Sequence, residues 1–100
     1  MAAYMIVIAR IGDRKAFLQD YAPAASRLVE KFGGRYIVRA QGTEVLEGSL
    51  ESGASVVISE WPDKDTIQRF WNSPEYQEAR KLRDSISDVD VLIVDDLPGG

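Results

Sequence analysis

Val56–Arg80, VVISEWPDKDTIQRFWNSPEYQEAR, decides the fold of this 100-residue chain. It opens inside a strand over Ser55–Trp61, with Val56 and Ile58 opposed to Val57 and Trp61 across the pleat. Pro62 lacks an N–H for a sheet ladder and stops the strand. Asp63 then caps a short helix carrying Ile67, Phe70 and Trp71. Ser73-Pro74 is an N-cap followed by proline at the first helical position, so a second helix starts there. It runs to about Asp84, with Tyr76, Ala79, Leu82 and Ile86 expected inward. Both tryptophans fall in this stretch, which reads as one wall of a pocket.

Working outward, Tyr4–Ala9 is a strand that is apolar at both odd and even positions. A half-exposed strand alternates, so both faces of this one are expected to be covered. Gly12-Asp13 ends it, and Asp13 caps a helix over about 14–32. Its buried stripe is Phe17, Tyr21, Ala24, Leu28 and Phe32. Pro23 has no N–H to give the Gln19 carbonyl, which predicts a kink or break. Gly33-Gly34 closes the helix and Arg35–Ala40 forms the second strand. Gln41–Gly53 is a polar loop or a frayed hairpin, in which Val45 and Leu46 could extend that strand. Val89–Asp95 is the fourth strand.

The order strand, helix, strand, strand, helix, strand is the ferredoxin-like βαββαβ arrangement, an α+β fold. It predicts an antiparallel four-stranded sheet with the helices on one face, in a single domain over 1–96 with a tail at 97–100. Two helices cover one sheet face, yet Tyr4–Ala9 and Val89–Asp95 leave neither face polar. Burying one large aliphatic side chain is worth roughly 1.5–3 kcal/mol. The expected cover for the second face is another copy, sheet against sheet, making a homodimer.

Composition narrows the partners. The formal charge is −4 and the pI about 4.7, which argues against nucleic acid or an anionic membrane. There is no cysteine and no histidine, so disulfides, thiol chemistry and the usual neutral-pH acid/base are absent. Tyr4–Ala9 is too short for a signal sequence and has Arg10 directly behind it. A cytoplasmic location is the default expectation. Asp95-Asp96 lacks a third oxygen ligand in sequence, so no metal is expected, and no cofactor.

Five blocks carry a resemblance: Tyr4 with its apolar strand, Gly33-Gly34-Arg35-Tyr36, Val45-Leu46-Glu47-Gly48, Val57-Ile58-Ser59-Glu60-Trp61-Pro62 and Trp71-Asn72-Ser73-Pro74-Glu75-Tyr76. In order and spacing the chain resembles the bacterial domain-of-unknown-function family numbered thirteen-thirty, grouped with the dimeric α+β barrels. The resemblance implies a ferredoxin-like protomer whose sheet packs against a partner's. Relatives on that scaffold include cofactor-free monooxygenases, haem-degrading enzymes, muconolactone isomerase and stress-induced dimers. Their ligands sit between the sheet and the helices. The chain departs from the family in having Arg39-Ala40-Gln41 where Arg-Gly-Gly is usual, and Glu60-Trp61-Pro62-Asp63 where Glu-Phe-Pro-Ser is usual.

The candidate site follows from ionisable and aromatic residues among apolar neighbours. Arg39 is a candidate carboxylate partner for a ligand and Glu60 a candidate general base, against a plain ion pair at a sheet rim. Trp71 and Tyr76 are candidates for a stacking wall, with Tyr21 as a pocket hydroxyl, against simple core packing. The expected function is small-molecule binding in a homodimer. Any catalysis would work on an aromatic or enolisable substrate without metal, thiol or imidazole. The alternative is a stress or accessory dimer with no specific ligand. Glu75, Glu78, Arg80, Lys81, Arg83 and Asp84 read as a solvated mixed-charge helix face.

Overall fold

The computed structural model describes residues 2–50 and 52–96, so the expected tail at 97–100 lies outside the described residues. Strand β1 is Ala3–Ile11, longer at both ends than expected. Helix α1 (residues 14–31) follows, capped by Asp13, whose side chain accepts from Ala16 N–H at 3.0 Å. Strand β2 is Arg35–Ala40 and β3 is Ser55–Trp61. Helices α2 (Lys64–Asn72) and α3 (Pro74–Asp84) lead into β4, Ser87–Asp95. The sheet order is β2-β3-β1-β4 with every neighbour antiparallel, the ferredoxin-like topology.

Pro23 shapes α1 as its missing N–H requires. The helix carries a π turn over Phe17–Tyr21, in which Ala22 N–H bonds to the Phe17 carbonyl. A π turn takes in one extra residue, so the buried stripe downstream advances by one position. Ala25 and Val29 are therefore the most buried positions, rather than the expected Ala24 and Leu28.

Helix α3 shows a second difference from expectation. Leu82 is 45% exposed, whereas Arg83 is 7% exposed. At about 100° per residue, Arg83 lies within roughly 20° of Tyr76, and Leu82 is swung about 120° away. The inward stripe is Tyr76, Ala79, Arg83. Val45 and Leu46 do not extend β2, and Leu46 is 94% exposed.

The core lies between the sheet and the helices, built on Ala3, Met5, Val29, Trp61, Ile67, Phe70 and Tyr76. Trp61 donates its indole N–H to Ser59 Oγ at 2.8 Å, which satisfies the one polar atom of a fully buried ring. Gly34 is the close approach over that ring. A Cβ there would stand 2.5 Å from Trp61 Cε2. Gly34→Ala is expected to cost about 2–3 kcal/mol by overpacking, read as a lower urea midpoint at unchanged slope.

The starts of α2 and α3 are equally explicit. Asp63 accepts from Thr66 N–H at 2.7 Å and from its hydroxyl at 2.6 Å. Ser73 Oγ accepts from Tyr76 N–H at 3.1 Å and donates to the Phe70 carbonyl at 2.7 Å, hinging the two helices. The Thr66 side-chain and backbone bonds hold the Asp63 carboxyl below its ordinary value. Such a depressed carboxyl contributes stability above its unfolded pKa and loses it as pH falls through the folded one. Asp63→Asn keeps the cap but not the titration. Its stability should therefore fall less than the parent's between about pH 5 and pH 3 in urea titrations.

The outer face of the sheet is apolar. Val38 pairs with Ile58, Ile58 with Ile6 and Ile6 with Leu92, so one aliphatic row crosses all four strands. Val38, Leu92 and Val94 are 37%, 47% and 41% exposed. Ion pairs border the row: Arg35 with Glu60, and Arg10 with Asp88 and Asp90.

Candidate functional site

Between the inner sheet face and the helices lies a cavity of roughly 220 Å³. Its floor is Met5, Val7 and Ala9 of β1, Val57 of β3 and Val91 of β4. Phe17, Tyr21 and Val29 of α1 form one wall, and Phe70, Trp71 and Tyr76 another. An engineered apolar cavity of about 150 Å³ holds benzene, so this one has room for a substituted ring.

Three arginines line the cavity: Arg14, Arg39 and Arg83. Among the described residues that line it there is no aspartate or glutamate. The protein is net negative, yet this interior is positive. Each arginine arrives by a different device. Arg14 stands in the first turn of α1. Arg39 and Tyr36 are three apart on β2 and would face opposite sides of a regular strand. A register shift between Tyr36 and Val38 inserts Ile37 as an extra residue, so Arg39 faces inward with Tyr36. The Arg39 guanidinium lies 4.1 Å from the Tyr36 ring centroid.

Arg83 is the deepest of the three. Its Nη2 donates to Tyr76 Oη at 3.3 Å, and Tyr76 Oη lies 2.9 Å from Tyr21 Oη. Its guanidinium also sits 5.6 Å from the Tyr21 ring centroid. Burial pushes the Tyr21 phenol well above its ordinary value, so it stays neutral at any working pH. Burial likewise raises Tyr36, against the lowering influence of Arg39. Burial by itself lowers Arg83, but its bond to Tyr76 and the electrostatics of both tyrosines outweigh that, and the guanidinium remains charged.

Of the residues expected from sequence, Arg39, Trp71, Tyr76 and Tyr21 meet at this cavity. Trp71 and Tyr76 are neighbours, with ring centroids 5.1 Å apart. Glu60 is not among the lining residues. Ser59 and Trp61 face inward on β3, so alternation turns Glu60 to the outer face, where it accepts from Arg35 Nη2 at 2.6 Å. It is a rim ion pair there. Arg14, Arg83 and Ser55 also line the cavity, beyond the residues expected from sequence. Arg83 sits seven residues after Tyr76, a spacing that marks one helix face. Ser55 lines the cavity with a buried Oγ that has no hydrogen-bond partner among the described residues. Nothing in the sequence distinguishes it from Ser59. No cluster of three carboxylates able to hold a metal ion occurs among the described residues. No helix among them is long and apolar enough to cross a membrane.

Topology and cavity together define a ferredoxin-like α+β fold with an internal cavity between sheet and helices. The chain belongs to the family described as domain of unknown function (DUF1330), whose model matches residues 2–97. No curated protein matches. RPA0582, a protein of unknown function from Rhodopseudomonas palustris, is similar at 20% identity and a TM-score of 0.77, over 96% of this chain and 82% of that one. SnoaB, a cofactor-independent oxygenase from Streptomyces nogalater, is similar at 14% identity and a TM-score of 0.70, over 96% and 93%. A dimeric protein of unknown function and ferredoxin-like fold from Bacteroides fragilis is 16% identical with a TM-score of 0.62, over 95% and 96%. At these identities the likeness concerns the fold.

Proposed function

We propose that the protein is a homodimer that binds an aromatic or enolisable small molecule in the cavity of each protomer. The observation that carries this reading is the cavity itself: roughly 220 Å³, apolar walls, three arginines and no lining carboxylate. Trp71 and Tyr76 supply the stacking wall and Tyr21 a hydroxyl. Arg39, which is exposed, receives an acidic group near the mouth. The copies join through the row Val38–Ile58–Ile6–Leu92, with Glu60 among the charges bordering that interface. The structural likeness to a cofactor-independent oxygenase supports proton transfer or oxygenation without a cofactor as the chemistry to look for.

A thermal-shift screen of aromatic acids tests the reading. A binder should raise the melting point, and Trp71→Ala or Arg39→Ala should each remove that shift. Light scattering should still report a dimer for both variants. A screen in which no aromatic acid moves the melting point would leave an accessory dimer as the better description.

A further inference from the structure

We propose that the inner end of the cavity, at Tyr21, Tyr76 and Arg83, is an oxyanion site that binds an acidic enol or phenol in its ionised form. This rests on the small-molecule reading above and names the ligand's reactive group. Each tyrosine hydroxyl has one proton to donate and accepts through two lone pairs. Tyr21 and Tyr76 share one hydrogen bond, which uses one of their two protons whichever way it points. Tyr76 also accepts from Arg83, which uses a lone pair and no phenolic proton. One phenolic proton is therefore left without an acceptor among the described residues, in a wall of the cavity.

The charge assists that proton. Arg83 is 7% exposed and donates into the pair, so the chain of bonds is polarised from guanidinium through Tyr76 toward Tyr21. A hydrogen bond from such a chain is strongest to an anionic oxygen. Ser55, a residue 6% exposed, also lines the cavity, and its buried Oγ has no partner among the described residues, so it adds a second hydroxyl proton free to be donated. A buried donor without a partner is costly, so an interior with three arginines and no carboxylate favours a ligand that supplies an acceptor. The titratable groups lining the cavity are Arg14 and Tyr21 from α1, Tyr36 and Arg39 from β2, and Tyr76 and Arg83 from α3. Outside the lining, the Asp84 carboxylate stands 3.7 Å from Arg83 Nη1, while Nη2 is the atom that donates to Tyr76. On binding, the ligand O–H proton leaves to solvent and the oxyanion remains.

The test uses 4-nitrophenol, whose phenolate form is coloured, with the intact protein in excess. The bound phenol should ionise about one pH unit or more below the free compound, an at least tenfold preference for the phenolate. Arg83→Gln should remove that displacement and Arg83→Lys should retain part of it. A purely structural Arg83 would alter how much phenol binds but not where the bound phenol ionises. Should Arg83→Gln fail to fold, the double change Tyr21→Phe with Tyr76→Phe deletes both hydroxyls and should also abolish the displacement. The proposal is overturned if bound 4-nitrophenol ionises at its free pH or above, if the displacement survives these changes, or if 4-nitrophenol does not bind. Aromatic carboxylates that still bind in that case leave the broader reading standing. Should they fail too, both fall.

Discussion

Ile6→Asp is expected to turn the protein into a folded monomer. Ile6 sits at the middle of the outer face, opposite Ile58 on one side and Leu92 on the other. In the proposed sheet-to-sheet dimer an aspartate there would be a buried, unpaired carboxylate. Leaving a buried charge without its partner costs about 3–5 kcal/mol, roughly a hundred- to several-thousandfold in dissociation constant. In the monomer the same face meets water, so the helical and sheet content should persist. Light scattering at micromolar concentration together with circular dichroism reads both quantities. A variant that keeps the dimer mass would show that the outer face is not the interface.

Phe70→Ala should produce the largest loss of stability. Phe70 is 1% exposed, and its ring lies 5.9 Å from Phe32, 5.1 Å from Trp61 and 4.6 Å from Tyr76. It thus links the packed end of the core to the wall of the cavity. Removing a buried phenyl group costs about 3–5 kcal/mol, a large share of the roughly 5–15 kcal/mol that holds a domain folded. The urea midpoint should fall accordingly, and Tyr76 would lose the neighbour that fixes its ring beside Tyr21. A loss below about 1.5 kcal/mol would mean that the site collapses readily and that Phe70 is not the link described.

The two variants probe opposite faces of one sheet, and they differ in how far sequence alone reaches. The apolar character of both faces was visible in Tyr4–Ala9, and the aromatic cluster in Phe70, Trp71 and Tyr76. What could not be read was which charges go with which face. Glu60 and Arg39 look alike in sequence, each a charge at the end of a strand. The regular pleat sends Glu60 outward to Arg35, and the irregularity at Ile37 sends Arg39 inward to Tyr36. A one-residue bulge on an edge strand has no compositional mark here.

Local chemistry carried the elements. Asp13, Asp63 and Ser73-Pro74 are capping residues whose own side chains bond the first turn of the helix they start, so those starts are written in short-range contacts. Pro23 likewise announced a disturbance in α1, because a missing N–H acts on its own turn. The element order, the antiparallel sheet and its ferredoxin-like topology follow from such signals plus the period of the apolar residues. The site does not. Tyr21 and Tyr76 are 55 residues apart and meet only when α1 and α3 pack side by side. Arg83 looked like one charge in a solvated row until packing turned the Tyr76–Ala79 stripe inward and took it along. Hydrogen bonds within a turn are specified by neighbours in the chain. The burial of a charge depends on what the rest of the chain lays over it, and that is settled only in three dimensions.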